Sequence, residues 1–98
     1  MAYQQFIRTV DGDHDDDILV YTLSTCIWCR KTKELLRKLG LRYRYVDVDL
    51  LDSPTQQEVY DDMEEIYESA TFPTLVVNGG DRVIKGYKER DIKQLVKP

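Results

Sequence analysis

Two cysteines, Cys26 and Cys29, stand three residues apart and are the only cysteines of the 98-residue chain. They follow a short apolar run, and a helical pattern begins at about Cys26. The unpaired N–H groups and the positive dipole end of such a helix stabilise a thiolate at its first residue, and the thiolate is the nucleophilic form of cysteine. Cys29 lies one turn further on the same helix face, close enough to close a disulfide. The spacing therefore predicts a reactive dithiol.

Cations crowd the first turns of the same helix, where the helix dipole disfavours them. They are Arg30, Lys31 and Lys33. A neighbouring thiolate would offset that cost, and we predict that Arg30 and Lys31 stabilise it. A solvated helix face is the alternative interpretation, because Arg37 and Lys38 continue the basic pattern.

Length and cysteine usage limit the class of protein. A chain of 98 residues makes one domain that can fold without disulfide staples, so the two cysteines are free for chemistry. A lone close pair of cysteines is typical of redox or metal chemistry inside a reducing cell, and the N-terminus lacks the apolar region of a secretion signal. We therefore expect a cytoplasmic monomer that makes no contact with a membrane.

The charge is distributed unevenly along the chain. The net charge is −4, but five of the eighteen acids lie in residues 11–17. Basic residues gather around the dithiol helix and in the last fifteen residues, whereas residues 58–68 hold six acids. The chain has a pI of about 4.9 and no basic stripe interleaved with aromatic residues, so we expect no nucleic-acid partner.

Apolar periodicity and turn residues predict the element order β, α, β, α, β, β, α. Ser53 followed by Pro54 predicts an N-cap and first position for the second helix. An extra N-terminal strand near residues 5–9 is left open. We divide the chain into an N-terminal extension with an acidic loop, 1–17, and a single globular domain, 18–98. The strands are predicted at 18–23, 42–48, 74–77 and 82–85, and the helices from about 26, from 53 and after 86.

Three motifs at matching positions make this chain resemble the glutaredoxin branch of the thioredoxin fold. They are the CxxC at the first strand-to-helix junction, Thr71-Phe72-Pro73 before the third strand and Gly86 after the fourth. The likeness covers residues 18–96. It implies a three-layer α/β fold in which a four-stranded mixed sheet is flanked by three helices.

The resemblance implies a role for each matching residue. Cys26 would attack a disulfide and form a mixed disulfide, and Cys29 would resolve it. Pro73 would be a cis-proline that faces the dithiol, and Phe72, next to Thr71, would offer its backbone to an extended substrate segment. No bound cofactor is implied beyond the redox-active pair itself, and the external electron donor is either glutathione or a reductase.

The chain also departs from the family pattern at positions that bear on its substrate. Ile27 and Trp28 replace the usual Pro-Tyr between the cysteines, and Leu23 stands where many members have Lys or Arg. The Gly-Gly pair and following Asp or Ser that hold glutathione are replaced by Gly86 and Tyr87. A single Gly before an aromatic resembles the NrdH-type redoxins, which deliver electrons to ribonucleotide reductase. The departures favour a protein disulfide as substrate, bound by Trp28, the segment from Thr71 to Pro73, Gly86 and Tyr87.

Two alternatives remain open. The first is a glutathione-dependent glutaredoxin that acts on glutathione mixed disulfides. The second is a dimer that shares an iron–sulfur cluster or a zinc ion between two CxxC motifs. A resident metal is not predicted: the aspartates of 11–17 lack the glycine and glutamate of a calcium loop, and the single histidine, His14, is expected to be solvated.

Overall fold

The computed structural model describes residues 3–13 and 15–96. Within these ranges the chain forms five strands and three α-helices, joined by loops and short 3-10 turns. The strands are β1 (Arg8–Val10), β2 (Ile18–Thr22), β3 (Tyr43–Asp47), β4 (Thr74–Val77) and β5 (Arg82–Lys85); the helices are α1 (Ile27–Lys38), α2 (Ser53–Tyr67) and α3 (Glu89–Lys93). The expectation for His14 falls outside the described residues.

The strands form one mixed sheet in the order β1-β3-β2-β4-β5. β2 and β3 run parallel, and the other neighbours run antiparallel. The thioredoxin-like fold is confirmed, and an extra N-terminal strand is present, so the sheet has five strands rather than the predicted four. This strand lies slightly later than residues 5–9, because Gln4–Phe6 form a 3-10 turn.

Apolar side chains cover both faces of the sheet, as the alternation along β2 requires. Ile18 and Val20 of β2 pack in one core with residues of α1 and α3, whereas Leu19 and Tyr21 pack in a second core with residues of α2. α1 and α3 therefore cover one face of the sheet and α2 covers the other. No helix of the described residues is both long and apolar enough to span a bilayer.

Tyr3 joins the N-terminal segment to the second core. Its ring is 1 % exposed and meets Tyr21 edge-on, with ring centroids 6.4 Å apart. Its hydroxyl lies 3.1 Å from the Tyr21 hydroxyl and donates to Asp62 Oδ2 of α2 at 3.0 Å. Tyr3 is therefore packed against β2 and α2.

The start of α2 differs from the sequence prediction by one residue. Ser53 is the first helical residue rather than the N-cap, and Asp52 is the N-cap. The Asp52 carboxylate accepts hydrogen bonds from the N–H and the hydroxyl of Thr55, at 3.2 and 2.7 Å. A carboxylate that satisfies an N–H and faces the helix dipole is a stronger cap than the serine hydroxyl.

Candidate active site

Cys26 lies at the junction between β2 and α1, where it forms the N-cap of the helix. Its backbone is extended, and its N–H donates to the carbonyl of Leu23 at 3.2 Å. The Cys29 N–H donates to Cys26 Sγ at 3.2 Å. The first turn of α1 therefore directs a backbone N–H at the sulfur of Cys26.

The two sulfurs of the pair differ in their access to solvent. Cys26 is half-buried, whereas Cys29 is 0 % exposed. Burial raises the pKa of the Cys29 thiol, and the hydrogen bond to Cys26 raises it further. Cys26 is therefore the more accessible sulfur of the pair.

A lysine held beside Cys29 was not included among the sequence-predicted site residues. Lys33 Nζ lies 3.0 Å from Asp47 Oδ1 and 4.1 Å from the centroid of the Tyr45 ring. The buried hydroxyl of Thr22 donates to the same Asp47 oxygen at 2.6 Å. The charge of Lys33 lowers the pKa of Cys29 and so opposes the effect of burial. The i,i+4 spacing of Cys29 and Lys33 was a usable signal, but the position of Asp47 depends on the parallel pairing of β2 and β3.

The loop before β4 lies at the same end of the sheet as the dithiol. Tyr21, near the end of β2, pairs with Thr74 at the start of β4. The Phe72–Pro73 bond is cis, as the resemblance implied, and Pro73 is buried. The Gly86 N–H donates to the Pro73 carbonyl at 2.6 Å, and Gly86 has φ of 86°, which a glycine adopts without strain.

The other residues of this loop make contacts away from the dithiol. The Thr74 hydroxyl donates to the Thr71 carbonyl at 2.6 Å, and the Thr71 hydroxyl lies 3.0 Å from that of Ser69. The Phe72 ring meets Tyr60 of α2 edge-on, with centroids 6.0 Å apart. These contacts fix the loop on α2; a role of Thr71 and Phe72 in binding substrate stays a prediction.

Trp28 and Tyr87, which are far apart in sequence, stack on each other beside the dithiol. Their ring centroids are 5.6 Å apart with an interplanar angle of 27°. Trp28 is nevertheless 52 % exposed, and its neighbour Ile27 is 57 % exposed. Apolar area that remains exposed in this way is typical of a contact surface. We call Ile27, Trp28 and Tyr87 the apolar rim.

The two cations predicted to stabilise the thiolate lie in different surroundings. Lys31 Nζ lies over the Trp28 ring, 5.7 Å from its centroid. Arg30 lies with Lys33 in the groove between α1 and the side chains of Tyr43 and Tyr45. Their action on Cys26 stays a prediction. Among residues 3–13 and 15–96, no three His, Cys, Asp or Glu side chains gather closely enough to hold a metal ion.

The dithiol at a helix N-cap, the adjacent cis-proline and the mixed sheet define a redox protein of the thioredoxin-like class. The chain belongs to the glutaredoxin family, whose family model, described as Glutaredoxin, matches residues 18–82. A curated relative is the "uncharacterized glutaredoxin-like 8.6 kDa protein in rubredoxin operon" of Clostridium pasteurianum. It is 29 % identical over 79 residues, which cover 81 % of this chain and 96 % of the relative.

Two solved structures extend this comparison. The glutaredoxin of Methanosarcina mazei Go1 is 35 % identical, with a TM-score of 0.75, and the match covers 91 % of this chain and 85 % of that one. The glutaredoxin-like protein NrdH-redoxin of Escherichia coli is 22 % identical, with a TM-score of 0.64 and coverage of 84 % and 97 %. The second likeness shows a shared fold. In general, members of the glutaredoxin family are thiol–disulfide oxidoreductases.

Proposed function

We propose that this protein reduces disulfides in other proteins, with Cys26 as the attacking thiolate and Cys29 as the resolving thiol. The observation that carries the proposal is the asymmetry of the pair. Cys26 is half-buried and its sulfur accepts the Cys29 N–H, whereas Cys29 is fully buried with a raised pKa. An accessible nucleophile beside a covered, protonated thiol suits a two-step exchange.

The two steps balance as thiol–disulfide exchange. The Cys26 thiolate attacks one sulfur of the substrate disulfide; a Cys26–substrate disulfide forms, and the other substrate sulfur leaves as a thiolate and takes up a proton. Cys29 then loses its proton to solvent and attacks Cys26 Sγ, which closes the Cys26–Cys29 disulfide and releases the second substrate thiol. Two electrons pass to the substrate, and an external thiol or a reductase must restore the dithiol.

The apolar rim supports a protein as the substrate. Trp28 is 52 % exposed and Ile27 is 57 % exposed, so a partner protein can cover both side chains. Tyr87 occupies the neighbourhood in which the family holds glutathione, and it stacks on Trp28. The substrate class is therefore a disulfide in a protein segment, and ribonucleotide reductase is one target to test. We place the reaction in the cytoplasm.

Cys29 also bears on the proposal of a metal-sharing dimer. A sulfur that is 0 % exposed cannot reach a metal between two chains unless the start of α1 rearranges. The burial favours a resolving thiol over a metal ligand. Metal analysis and the visible spectrum of an anaerobically purified sample test this directly; a bound cluster or one zinc ion per two chains would favour the dimer.

Two cysteine variants test the role assignment. Cys26→Ser should abolish the reduction of insulin disulfides, whereas Cys29→Ser should accumulate a mixed disulfide that mass spectrometry detects. The two variants are matched, because each replaces one sulfur by one oxygen. Equal residual turnover in both would contradict the assignment.

The electron donor is tested in a separate assay. Insulin reduction is followed with glutathione and glutathione reductase, and in parallel with thioredoxin reductase and NADPH. We expect turnover with the second system. Turnover with glutathione alone would support the glutathione-dependent alternative and contradict our interpretation of Gly86 and Tyr87.

A further inference from the structure

The two faces of the sheet carry opposite charge. Residues 45–81, which include α2, contain ten acids and neither lysine nor arginine. α1 carries five basic residues and one acid, and the segment 82–96, which includes β5 and α3, carries five basic residues and two acids. Because α1 and α3 pack on the face opposite to α2, the sequence segregation becomes a spatial one.

The basic face is formed by exposed side chains. Lys38 at the end of α1, and Lys88 and Arg90 at the start of α3, are all exposed. The two acids of the α3 segment are paired with bases of the same segment: Glu89 with Lys93 at 2.8 Å and Asp91 with Arg82 at 3.8 Å. These pairs reduce the negative field of the acids. The acidic segment 11–17 lies beyond the end of α1, where the Asp13 N–H donates to the Gly40 carbonyl at 2.7 Å, whereas the exposed bases Lys31, Lys88 and Arg90 lie on the face itself.

This basic face reaches the dithiol at the apolar rim. Lys31 Nζ lies over Trp28, and Tyr87 stacks on the same ring. A groove between α1 and α3 continues from Tyr87; its lining residues are Lys31, Glu34, Leu35, Lys38, Tyr87 and Glu89. A chain that covers the apolar rim can therefore extend over the basic face without leaving the surface of the protein.

We propose that the α1–α3 face is the docking surface for an acidic protein segment that carries the disulfide. The proposal rests on the proposed function and specifies the chemistry of its substrate. The positive face attracts the segment, and the acidic α2 face repels it from the opposite side of the sheet. The two fields together favour the orientation in which the disulfide meets Cys26, which raises the rate of productive encounters.

The test measures how fast the reduced protein is oxidised by three synthetic peptides with the same intramolecular disulfide. One peptide has four Glu beside the disulfide, one has four Lys, and one has uncharged flanks. Trp28, the only tryptophan of the chain, lies between the cysteines, so its fluorescence follows the reaction. At low ionic strength we expect the acidic peptide to react about tenfold faster than the uncharged one, and the difference to shrink at 0.5 M salt.

Two matched variants separate a local effect from net charge. The triple variant Lys38→Glu, Lys88→Glu, Arg90→Glu should lose the preference for the acidic peptide. The control places the triple change Asp61→Lys, Glu64→Lys, Glu65→Lys on α2, and it should change the ratio of acidic to uncharged rates by less than about twofold. Because the first variant lowers the net charge by six and the second raises it by six, an increase of the ratio in the control as large as the decrease in the triple Glu variant would show that net charge alone matters and would overturn the docking surface.

The uncharged peptide distinguishes the failure of this inference from the failure of the proposed function. If the uncharged peptide fails to oxidise the dithiol, the proposed function is wrong. If it reacts and the acidic peptide reacts no faster, only the docking surface is wrong. Analytical ultracentrifugation at low and high salt completes the test: we expect one chain per particle, and salt-sensitive self-association would show that the α2 face of a second copy occupies the basic face instead.

Discussion

Replacing Trp28 by alanine removes the largest exposed side chain of the apolar rim. Trp28 is 52 % exposed, and a fully covered tryptophan buries about 150–250 Å², so a docked protein would cover roughly 100 Å² of its ring. At about 25 cal/mol per Å², this area contributes about 2.5 kcal/mol, which corresponds to about 70-fold in a rate constant. Because the transition state need cover only part of the ring, we expect a loss of about 10- to 70-fold in kcat/KM.

The assay compares a protein disulfide with a small one. Turnover of insulin and of hydroxyethyl disulfide is measured for the wild-type protein, Trp28→Ala and Ile66→Ala. Ile66 is 62 % exposed but lies on α2, so it serves as the matched control and should change neither rate by more than about twofold. Hydroxyethyl disulfide is too small to cover the rim, and its reduction by Trp28→Ala should be nearly unchanged. An equal loss for both substrates would show that Trp28 supports the dithiol rather than binding the partner, and our reasoning would be refuted.

Three further predictions concern Lys33, Tyr3 and Gly86. Lys33→Met should raise the pKa of Cys29, because the ammonium charge of Lys33 lowers it. Release of the second substrate thiol, measured by stopped flow, should slow about three- to tenfold at pH 7. An unchanged pH profile of this release rate would exclude the role of Lys33. Burial and the hydrogen bond to Tyr21 raise the pKa of Tyr3, so the folded state retains a proton that the unfolded chain releases above about pH 10. This contribution to the free energy of unfolding is complete below pH 10 and is lost as the pH rises, by up to about 1.4 kcal/mol per pH unit. In urea unfolding, the free energy of unfolding of Tyr3→Phe should fall less steeply with pH than that of the wild-type protein. Equal slopes for the two proteins would contradict the account. Gly86→Ala should lower the free energy of unfolding by about 1–2 kcal/mol, because alanine is strained at a φ of 86°. A clash does not contribute, since nothing lies within 4 Å of the added Cβ. A loss below about 0.5 kcal/mol in thermal unfolding would contradict this reasoning.

The element order was predictable because each element is encoded by neighbouring residues. The apolar run of β2, the helical spacing that follows Cys26 and the turn residues at 78–80 specify local conformations. The N-terminal strand was harder to predict, because a three-residue strand has too short a pattern and is held by pairing with β3. The N-cap of α2 was misplaced by one residue, since Asp52 and Ser53 are both good caps and the carboxylate forms the better contacts.

The residues of the candidate site were likewise predictable only where a local motif marks them. The pair Cys26 and Cys29 and the candidate Pro73 could be found from motifs. Lys33 and Asp47 were not recognised as a pair, because their contact joins α1 to the end of β3 and depends on how the helix crosses the sheet.

By itself, the sequence determined the reactive spacing of the two cysteines and the helix start that stabilises a thiolate. It also determined the separation of acids and bases along the chain. Only the tertiary structure decided which sulfur is covered, that Trp28 stacks on Tyr87, and that the charge separation falls on opposite faces of the sheet. The physical reason is range: capping and helical spacing act within a few residues, whereas burial and contacts between elements arise only when the sheet order brings distant segments together.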